Sequence, residues 1–387
     1  MTEPSARADG DALRILGVGD LRSLHLIRWA GHLASAGHEV HVATPQPGRE
    51  HEVPAGVQGH VLRELEPLMR IPLVRRARIV PALRSLAREL RLDVVHGHYL
   101  LPFGALAART GVHPLVVSPW GTDALVAARP GQPGRAAAQE AIRAADALVV
   151  NSGALEEACR DLGADPERLH RIYWHVDLAP FGPERAEDDL RARLGFPPDA
   201  LVILSLRNFR ADTNLDVLVR AFARVVREES RARIVLAARS GPLREDIERI
   251  VAELGLDQKV AFDHATPQTL PSLVAAADVC VSLASSDSAP PSLLEAMASG
   301  RALVYADAAS IGEWVSQGAG AEIVPQRNEE ATAAALLRLL GDGGLRAAYG
   351  SRNRRVVSER VEPAGRALER LYRDLAQPSA RSRSRRP

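Results

Sequence analysis

Two carboxylates, Asp287 and Glu295, are the side chains of this sequence whose type and spacing best suit work on a charged ligand. Asp287 falls in a polar loop after the strand-like run Asp278–Leu283, and Glu295 falls in a helical pattern that opens at Pro291 and ends at Gly300. In open α/β sheets, ligands bind beyond the carboxyl ends of the strands, where the N–H groups at the start of a helix favour an anion such as phosphate. The segment therefore predicts a phosphate-binding edge with two acids beside it.

The same spacing also has a purely structural interpretation. Ser292 and Glu295 match a capping box, in which the Glu side chain accepts a hydrogen bond from the N–H of the cap residue. Position alone leaves both interpretations open.

Composition and charge exclude several classes of protein. A chain of 387 residues, 46% of them apolar, is long enough for two domains that each bury a core. The 49 basic and 48 acidic residues nearly cancel, so no general electrostatic field attracts nucleic acid. The two cysteines, Cys159 and Cys280, lie in or beside apolar helical or strand patterns and indicate neither a disulfide framework nor a zinc site.

The terminal segments and the hydropathy of the chain predict a cytoplasmic location. The first twelve residues lack the apolar core of a signal peptide, and no apolar run approaches the length of a membrane span. Residues 377–387 are polar and basic, which predicts a disordered tail.

Alternating strand and helix patterns predict an α/β fold of two doubly wound, parallel-sheet domains. The first opens with a βαβ unit, in which Leu13–Val18 and Val40–Ala43 are strands and Leu24–Ala36 is the helix. A charged stretch at 184–198 that ends in two prolines predicts the linker. Strand patterns then resume at Leu201–Leu206, Ile234–Ala238, Lys259–Phe262, Asp278–Leu283, Ala302–Ala306 and Glu322–Val324.

An arginine-rich segment between the second and third predicted strands, residues 68–91, has two possible roles. Its arginines are set among Leu, Ile and Val, as in helices that lie on an anionic membrane surface. The same pattern also fits a solvated helix face that Pro72 and Pro81 interrupt. Peripheral contact of residues 70–91 with the inner face of a membrane therefore stays open beside a purely cytoplasmic location.

From Leu13 to about Leu375 the chain resembles the family 4 glycosyltransferases. The likeness rests on pieces that occur in the family's order: HLIRWAGHL before GHEVHVAT, then LDVVHGHYLLPFGALAA, SPWGTDAL, VDLAPF, LDVLVRAFARV and SAPPSLLEAMASGRALVYADAASIGEWV. The resemblance implies the GT-B architecture, in which two Rossmann-like domains face a cleft. It also implies transfer of a sugar from a nucleotide donor with retention of anomeric configuration.

The resemblance assigns both acids to the donor. The family signature is a Glu, seven residues and a second Glu, and these places hold Asp287 and Glu295, so Asp replaces the first Glu. Glu295 is then expected to hold the ribose hydroxyls through charge-assisted hydrogen bonds. Asp287 is expected to face the anomeric carbon and stabilise its developing positive charge. Arg207 fits the arginine that holds the donor phosphates.

Other donor contacts follow from the same resemblance, with departures from the family pattern. Thr213 stands at the usual lysine, and Arg210 could supply the missing charge. A loop that usually reads Gly-Asp-Gly-Pro brings in Arg239 here, and the usual Gly-Gly before Glu313 is Ala309-Ser310. The predicted donor contacts are Gly19, Arg210, Arg239, Ser288, Ser292, Glu295 and Glu313.

The resemblance assigns the acceptor to the first domain. The family often shows a His directly before a Gly-x-Asp, and here Trp120 has that place while Asp123 fits the Asp. Because a Trp cannot act as a base, Asp123, His98 or Tyr99 is expected to position the acceptor. The predicted acceptor contacts are Arg22, His25, His98, Tyr99 and Trp120, with Asp123, Arg207 and Asp287 as the predicted catalytic residues.

A pair of histidines, His96 and His98, raises the question of a metal. Alternate strand residues share a face, so the two rings could ligate one ion. No third ligand has suitable spacing, and the family fold normally works without metal. The prediction is therefore a strand-end polar pair, with no metal and no cofactor besides the donor substrate.

These assignments predict a retaining glycosyltransferase that takes a UDP-sugar and an acceptor hydroxyl in polysaccharide, glycolipid or natural-product glycoside synthesis. Same-face attack, with the leaving phosphate accepting the acceptor's proton, requires no separate base. The predicted domains are 1–185 for the acceptor and 186–352 for the donor, followed by a helical stretch at 353–376 that crosses back to the first domain. Two alternatives stay open: a non-catalytic sugar-nucleotide-binding assembly partner, and a GT-B-type sugar-nucleotide epimerase or hydrolase.

Overall fold

The computed structural model describes ten stretches of the chain, and all structural statements below concern them. They are residues 12–48, 53–62, 73–125, 129–173, 178–185, 190–238, 241–266, 268–285, 290–361 and 364–377. The chain divides into two compact units. Unit 1 comprises Met1–His175 and Pro363–Pro387, and unit 2 comprises Val176–Glu362.

Unit 1 is built on a parallel sheet of seven strands. The strands are β1 (Arg14–Val18), β2 (Glu39–Thr44), β3 (Val57–Val61), β4 (Val94–His98), β5 (Leu115–Ser118), β6 (Ala147–Val150) and β7 (Leu169–Arg171). The helices of its first segment are α1 (Leu24–Ser35), α2 (Leu73–Glu89), α3 (Ala105–Arg109), α4 (Thr122–Leu125), α5 (Arg135–Ala144) and α6 (Gly153–Asp161), with single turns at Leu100–Gly104 and Pro166–Arg168. The strand order is β3-β2-β1-β4-β5-β6-β7.

Unit 2 is built on a parallel sheet of six strands. The strands are β8 (Leu201–Ser205), β9 (Ala232–Ala237), β10 (Val260–Asp263), β11 (Val279–Ser282), β12 (Ala302–Ala306) and β13 (Ala321–Val324), in the order β10-β9-β8-β11-β12-β13. Its helices are α7 (Leu190–Arg193), α8 (Leu215–Glu228), α9 (Arg244–Glu253), α10 (Leu270–Ala276), α11 (Pro291–Ala298), α12 (Ala309–Ser316), α13 (Glu329–Gly341) and α14 (Gly343–Val361), with single turns at Pro183–Arg185 and Ala211–Thr213. The predicted fold class, two doubly wound parallel α/β domains, is confirmed.

The sheet of unit 1 is covered on both faces, as the uninterrupted apolar strand patterns require. Leu16 of β1 belongs to a core with residues of α2, α3, α5 and α6. The neighbouring Ile15 points to the other face, where it packs in a core with Trp29 of α1 and with Leu368 and Tyr372. The last two residues lie on α15 (Ala364–Ala376), so the end of the chain completes this layer.

The boundaries of the two compact units differ from the predicted domain limits. The turn Pro183–Arg185 packs against α10 inside unit 2, which places the first division before residue 185. The predicted helical stretch 353–376 is two helices. Its first part continues α14 in unit 2, where Val356 and Val357 are buried, and its second part is α15 in unit 1.

Two strands that the sequence does not predict lie at opposite edges of the unit 1 sheet. β3 reads VQGHV and is largely exposed, and β7 has three residues, none of them buried. Edge strands need no long apolar run, because only one side of each is hydrogen-bonded and their faces stay partly solvated. Such strands carry little sequence signal.

The arginine-rich segment forms α2, and the prediction that Pro81 interrupts a helix there is wrong, because α2 continues through it. Ile79 and Leu83 are buried in the core of unit 1, while Arg84 and Arg88 are exposed. Residues 63–72, which include Pro72, lie outside the described residues. Among the helices described, none combines the length and the apolar character that a membrane crossing needs. Peripheral membrane contact stays a prediction.

A chain of buried hydrogen bonds ties α15 to the sheet of unit 1. The Trp29 indole N–H donates to the Tyr372 hydroxyl at 2.9 Å, that hydroxyl contacts Nδ1 of His96, and Nε2 of His96 lies 2.7 Å from the Ser118 hydroxyl. Because an indole N–H can only donate, Tyr372 accepts from Trp29 and donates to His96. The direction of the chain therefore places the His96 proton on Nε2, where it is donated to Ser118.

Replacing Tyr372 with Phe should destabilise unit 1 by roughly 2 kcal/mol or more, because it leaves a buried indole N–H and a buried imidazole nitrogen without partners. Urea unfolding of the full chain would measure the change. The matched control is Tyr349→Phe, since the half-buried Tyr349 hydroxyl donates one hydrogen bond to Glu322, and it should cost about 1 kcal/mol or less. Equal losses in the two variants would contradict the proposed importance of the chain.

The stability of unit 1 should fall as the solution is acidified. Burial lowers the pKa of His96 from 6.5 to about 3. At a pH between these two pKa values, the unfolded chain binds a proton at His96 that the folded chain does not. The contribution of His96 to the free energy of unfolding is therefore fully present above pH 6.5. It decreases toward the lower pKa by about 1.4 kcal/mol per pH unit. Urea unfolding at several pH values would give this slope. His96→Gln should reduce the slope by about this amount, and the rest comes from other buried histidines such as His25 and His98. The same slope in His96→Gln and wild type would refute the assignment; the exposed His264→Gln is the control.

Candidate functional site

Each sheet reverses its strand order at one point, and the predicted site residues follow the strands that flank these two points. The reversal lies between β1 and β4 in unit 1 and between β8 and β11 in unit 2. Neighbouring connections there leave in opposite directions, which opens a crevice at the carboxyl ends of the strands. Gly19 and His98 lie at the first crevice, and Arg207 and the segment that leads to Glu295 lie at the second.

Arg207 bridges the crevice of unit 2. It follows β8, and its Nε donates to the hydroxyl of Ser282, the last residue of β11, at 2.6 Å. Arg207 is partly buried and Ser282 is buried. A guanidinium fixed at this edge of the sheet suits a phosphate, because arginine recognises phosphate through charge-assisted hydrogen bonds.

Thr213, at the place of the family lysine, closes the loop after β8. Its hydroxyl lies 2.9 Å from the carbonyl oxygen of Asn208 and 2.7 Å from that of Arg210. Arg210 is exposed, and its Nε contacts Asp212 at 3.0 Å. The missing lysine is thus replaced by a loop-stabilising hydroxyl, and the predicted substitute cation is partly neutralised by its neighbour.

The loop after β8 is also fixed to the chain that leaves β11. The Asn214 amide donates to the carbonyl of Leu283 at 2.7 Å, and the N–H of Ser285 donates to the carbonyl of Asp212 at 2.9 Å. Asn214 adopts a left-handed backbone conformation with φ +52°. These bonds anchor the segment immediately before Asp287. Asp287 and Ser288 themselves lie outside the described residues, as does Arg239.

The N-terminus of α11 does not have the arrangement of a capping box. Its N-cap is Pro290, which makes no side-chain cap hydrogen bond, and Ser292 lies inside the helix at its second position. Ser292 is therefore not the cap residue that a capping box with Glu295 requires. Glu295 is 3% exposed, so α11 buries a carboxylate close to the crevice of unit 2. The predicted end of the helix is confirmed at Gly300, where φ is +65°.

Glu313, the other predicted acid of the donor site, lies on α12 and is partly exposed. The side chains of residues 309 and 310, which replace the family's glycines, are not among those described. Contact of Glu313 with a donor stays a prediction.

The crevice of unit 1 is narrow and apolar at its base. A Cβ on Gly19 would lie 3.0 Å from a methyl carbon of Leu26 and 3.3 Å from the Cβ of His98, so glycine permits this close approach. His98 is 1% exposed, and neither of its ring nitrogens has a hydrogen-bond partner within the described structure. Burial, with smaller contributions from two neighbouring histidines, lowers the pKa of His98 well below its usual value. His98 is therefore neutral.

Asp123 organises the loop that carries Trp120. One carboxylate oxygen accepts from the N–H groups of Trp120 at 3.0 Å and Gly121 at 2.8 Å, and the other accepts from the N–H of Leu100 at 2.6 Å. Burial raises the pKa of Asp123 above its usual value, although these backbone hydrogen bonds oppose the shift. The carboxylate joins the loops after β4 and β5, which makes Asp123 a positioning residue. Its direct contact with an acceptor stays a prediction.

The predicted acceptor residues gather around Trp120. Its ring centroid lies 4.4 Å from that of Tyr99, 5.1 Å from that of His25 and 5.9 Å from that of His98. Burial, and to a smaller extent Arg28, lowers the pKa of His25 to about 4. Arg22 differs from this group, since it is exposed and pairs with Asp20 at 3.5 Å.

The side chains that fix these crevices include several that the sequence does not indicate. Ser282 and Asn214 take part through hydrogen bonds to partners that are distant in sequence, the Arg207 side chain and the Leu283 carbonyl. A serine at the end of a strand has no pattern that predicts such a bond. Within the described stretches, no three His, Cys, Asp or Glu side chains are grouped as metal ligands.

Comparison with known proteins gives matches along most of the chain. The model of Glycosyltransferase Family 4 matches residues 23–180, and that of Glycosyl transferases group 1 matches residues 186–356. A D-inositol 3-phosphate glycosyltransferase of Streptomyces bingchenggensis is 32% identical over 67% of this chain, and the match spans 61% of that relative. One of the same description from Kineococcus radiotolerans is 32% identical over 77% of this chain and 75% of its own length.

A solved structure shows the same fold. HepE of Anabaena in complex with UDP-glucose superposes with a TM-score of 0.76 at 21% identity, covering 94% of this chain and 100% of that one. This likeness shows the fold. Two consecutive family models and a relative matched over three quarters of its length show that the chain belongs to the family 4 glycosyltransferases, which are transferases of GT-B fold.

Proposed function

We propose that this protein transfers a glycosyl group from a UDP-sugar to an acceptor hydroxyl with retention of anomeric configuration. The observation that carries the proposal is the fixed Arg207 at the strand-order reversal of unit 2, where Glu295 is buried on the following helix. A neighbour solved with UDP-glucose supports this donor class, and relatives named as D-inositol 3-phosphate glycosyltransferases support glycosyl transfer.

In this proposal unit 2 binds the donor. Glu295 accepts hydrogen bonds from the ribose hydroxyls, and Arg207 binds the diphosphate through charge-assisted hydrogen bonds. The N–H of Leu293 already donates to the carbonyl of Pro290, and Pro291 has no N–H, so Ser292 is the donor that the first turn of α11 adds. Anion binding therefore depends more on Arg207 than on the helix terminus.

The chemical step follows from this arrangement. The bond between the anomeric carbon and the diphosphate oxygen breaks, and the acceptor oxygen bonds to the same face of that carbon. The acceptor's proton passes to the leaving phosphate oxygen. Asp287 stabilises the positive charge that develops at the anomeric carbon, and Arg207 stabilises the negative charge of the leaving group. Unit 1 binds the acceptor, and His25 and His98, whose basicity burial weakens by lowering their pKa, are not needed to take its proton.

Transfer from UDP-glucose tests the proposal. The product should keep the α configuration of the donor, as the coupling constant of its anomeric proton in NMR would show. Glu295→Gln keeps the size of the side chain but removes the charge that ribose binding uses. It should weaken UDP binding by about tenfold or more in calorimetry.

The control for this variant is Glu253→Gln, whose side chain is 61% exposed on α9. It should bind UDP like the wild type. Unchanged UDP affinity in Glu295→Gln would remove Glu295 from the donor site, and release of UDP with an inverted product would refute retention.

Arg207 should act on the rate more than on binding, because charge on the leaving phosphate grows toward the transition state. We expect Arg207→Ala to lower kcat for UDP release about 100-fold. Ser282→Ala, which frees Nε of Arg207 from its anchor, should lower kcat by a smaller factor. Initial rates with UDP-glucose would measure both, with Arg249→Ala, 64% exposed on α9, as the control. An Arg207→Ala change confined to KM would contradict the assigned role.

A further inference from the structure

Four rings at the crevice of unit 1 form what we call the aromatic platform: His25, His98, Tyr99 and Trp120. Trp120 is its centre and contacts each of the other three rings. Trp120 also packs against the core that contains Trp29 and Tyr372, while His25, Tyr99 and Trp120 all remain partly exposed. The platform thus joins a buried base to ring surface that a ligand can reach.

The platform is held in place before any ligand binds. Three backbone N–H groups that donate to the Asp123 carboxylate fix the loop on both sides of Trp120. Tyr99 has φ +72°, a conformation that costs energy in a residue other than glycine and persists where surrounding contacts impose it. The backbone of Tyr99 is therefore strained, and its ring packs against that of Trp120. A binding surface that is organised before its ligand arrives shows this combination.

The platform carries no charge of its own at neutral pH. Burial keeps both imidazoles in the neutral form, because the pKa of His25 is lowered to about 4 and that of His98 is lowered well below its usual value. The neighbouring Asp123 carboxylate is occupied by backbone hydrogen bonds, and Arg28 lies close enough to His25 to contribute to its lowered pKa. Ring faces without net charge favour apolar, flat groups over phosphates.

His98 lies on the buried side of the platform. It is 1% exposed, and its ring is stacked on that of His96 with the centroids 4.2 Å apart. The ring surface that a ligand can reach is therefore that of His25, Tyr99 and Trp120.

We propose that the aromatic platform binds the acceptor through an aryl group stacked on Trp120 and Tyr99. The inference rests on the proposed function, because it takes the bound molecule to be the acceptor of the transfer. An aryl acceptor would distinguish this chain from the relatives named D-inositol 3-phosphate glycosyltransferase, because the compound in that name is an anionic polyol. Trp120 is then the specificity-determining residue of the acceptor site.

Ligand-observed NMR titration of the full chain tests the proposal, with phenyl β-D-glucoside and methyl β-D-glucoside as probes. The phenyl compound should bind roughly fivefold or more tightly, because it adds ring stacking to the same sugar. Trp120→Ala should abolish that advantage, and Trp120→Phe should keep part of it. The control is Val61→Ala, an exposed apolar residue on β3 that should leave both affinities unchanged.

Equal affinities for the two glucosides in the wild type would overturn the proposal, as would a phenyl preference that survives in Trp120→Ala. Tighter binding of myo-inositol 3-phosphate than of phenyl glucoside would also overturn it. The titrations are run with and without UDP. Failure of UDP to bind would count against the proposed function alone, since the platform lies within unit 1 and is tested by the glucosides in either case.

Discussion

Reversal of strand order is the constraint on which both candidate sites depend. In each unit the chain builds outward from a central strand, β1 or β8, and then returns to add strands on its other side. The connections on the two sides leave the sheet in opposite directions, so the carboxyl ends of the central pair stay uncovered. Polar residues can lie there without disturbing a core. His98 at the end of β4 and Ser282 at the end of β11 have equivalent places in the two sheets.

The two crevices differ in their chemistry. In unit 2 a fixed guanidinium and a buried carboxylate stand at the crevice, which suits a ligand with both phosphate and hydroxyl groups. In unit 1 neutral rings surround the crevice, and the carboxylate beside them is occupied by backbone N–H groups. One crevice therefore favours charge and the other favours flat apolar surface. A transferase needs such a difference, because its two substrates must not exchange places.

Departures from the family pattern make physical sense where the structure describes them. A lysine at Thr213 could not make the two short hydroxyl contacts that close the loop after β8. Pro290 and Pro291 remove N–H groups from the start of α11, so in the proposed donor site the anion depends more on Arg207. The architecture is intact in spite of these substitutions.

The sequence predicts the central strands and the fold class well, because buried parallel strands are continuous apolar runs and helices between them are amphipathic. It fails where local patterns are weak or where distant contacts decide. The edge strand β3 has only two large apolar residues, with a glycine between them, and Pro81 remains inside α2, where Ile79 and Leu83 pack in the core. The positioning role of Asp123 depends on Leu100, a partner 23 residues away, which no spacing rule contains.

The return of α15 to unit 1 has a consequence for the order in which the protein can form. Unit 2 is one continuous segment, whereas unit 1 is interrupted by it and includes Tyr372 from the last helix. During synthesis from the N-terminus, the hydrogen-bond chain through Trp29 and His96 cannot close until residue 372 has been made. Unit 2 can complete its core earlier, although its sequence comes later than most of unit 1. The domain that begins the chain is thus the last to be finished.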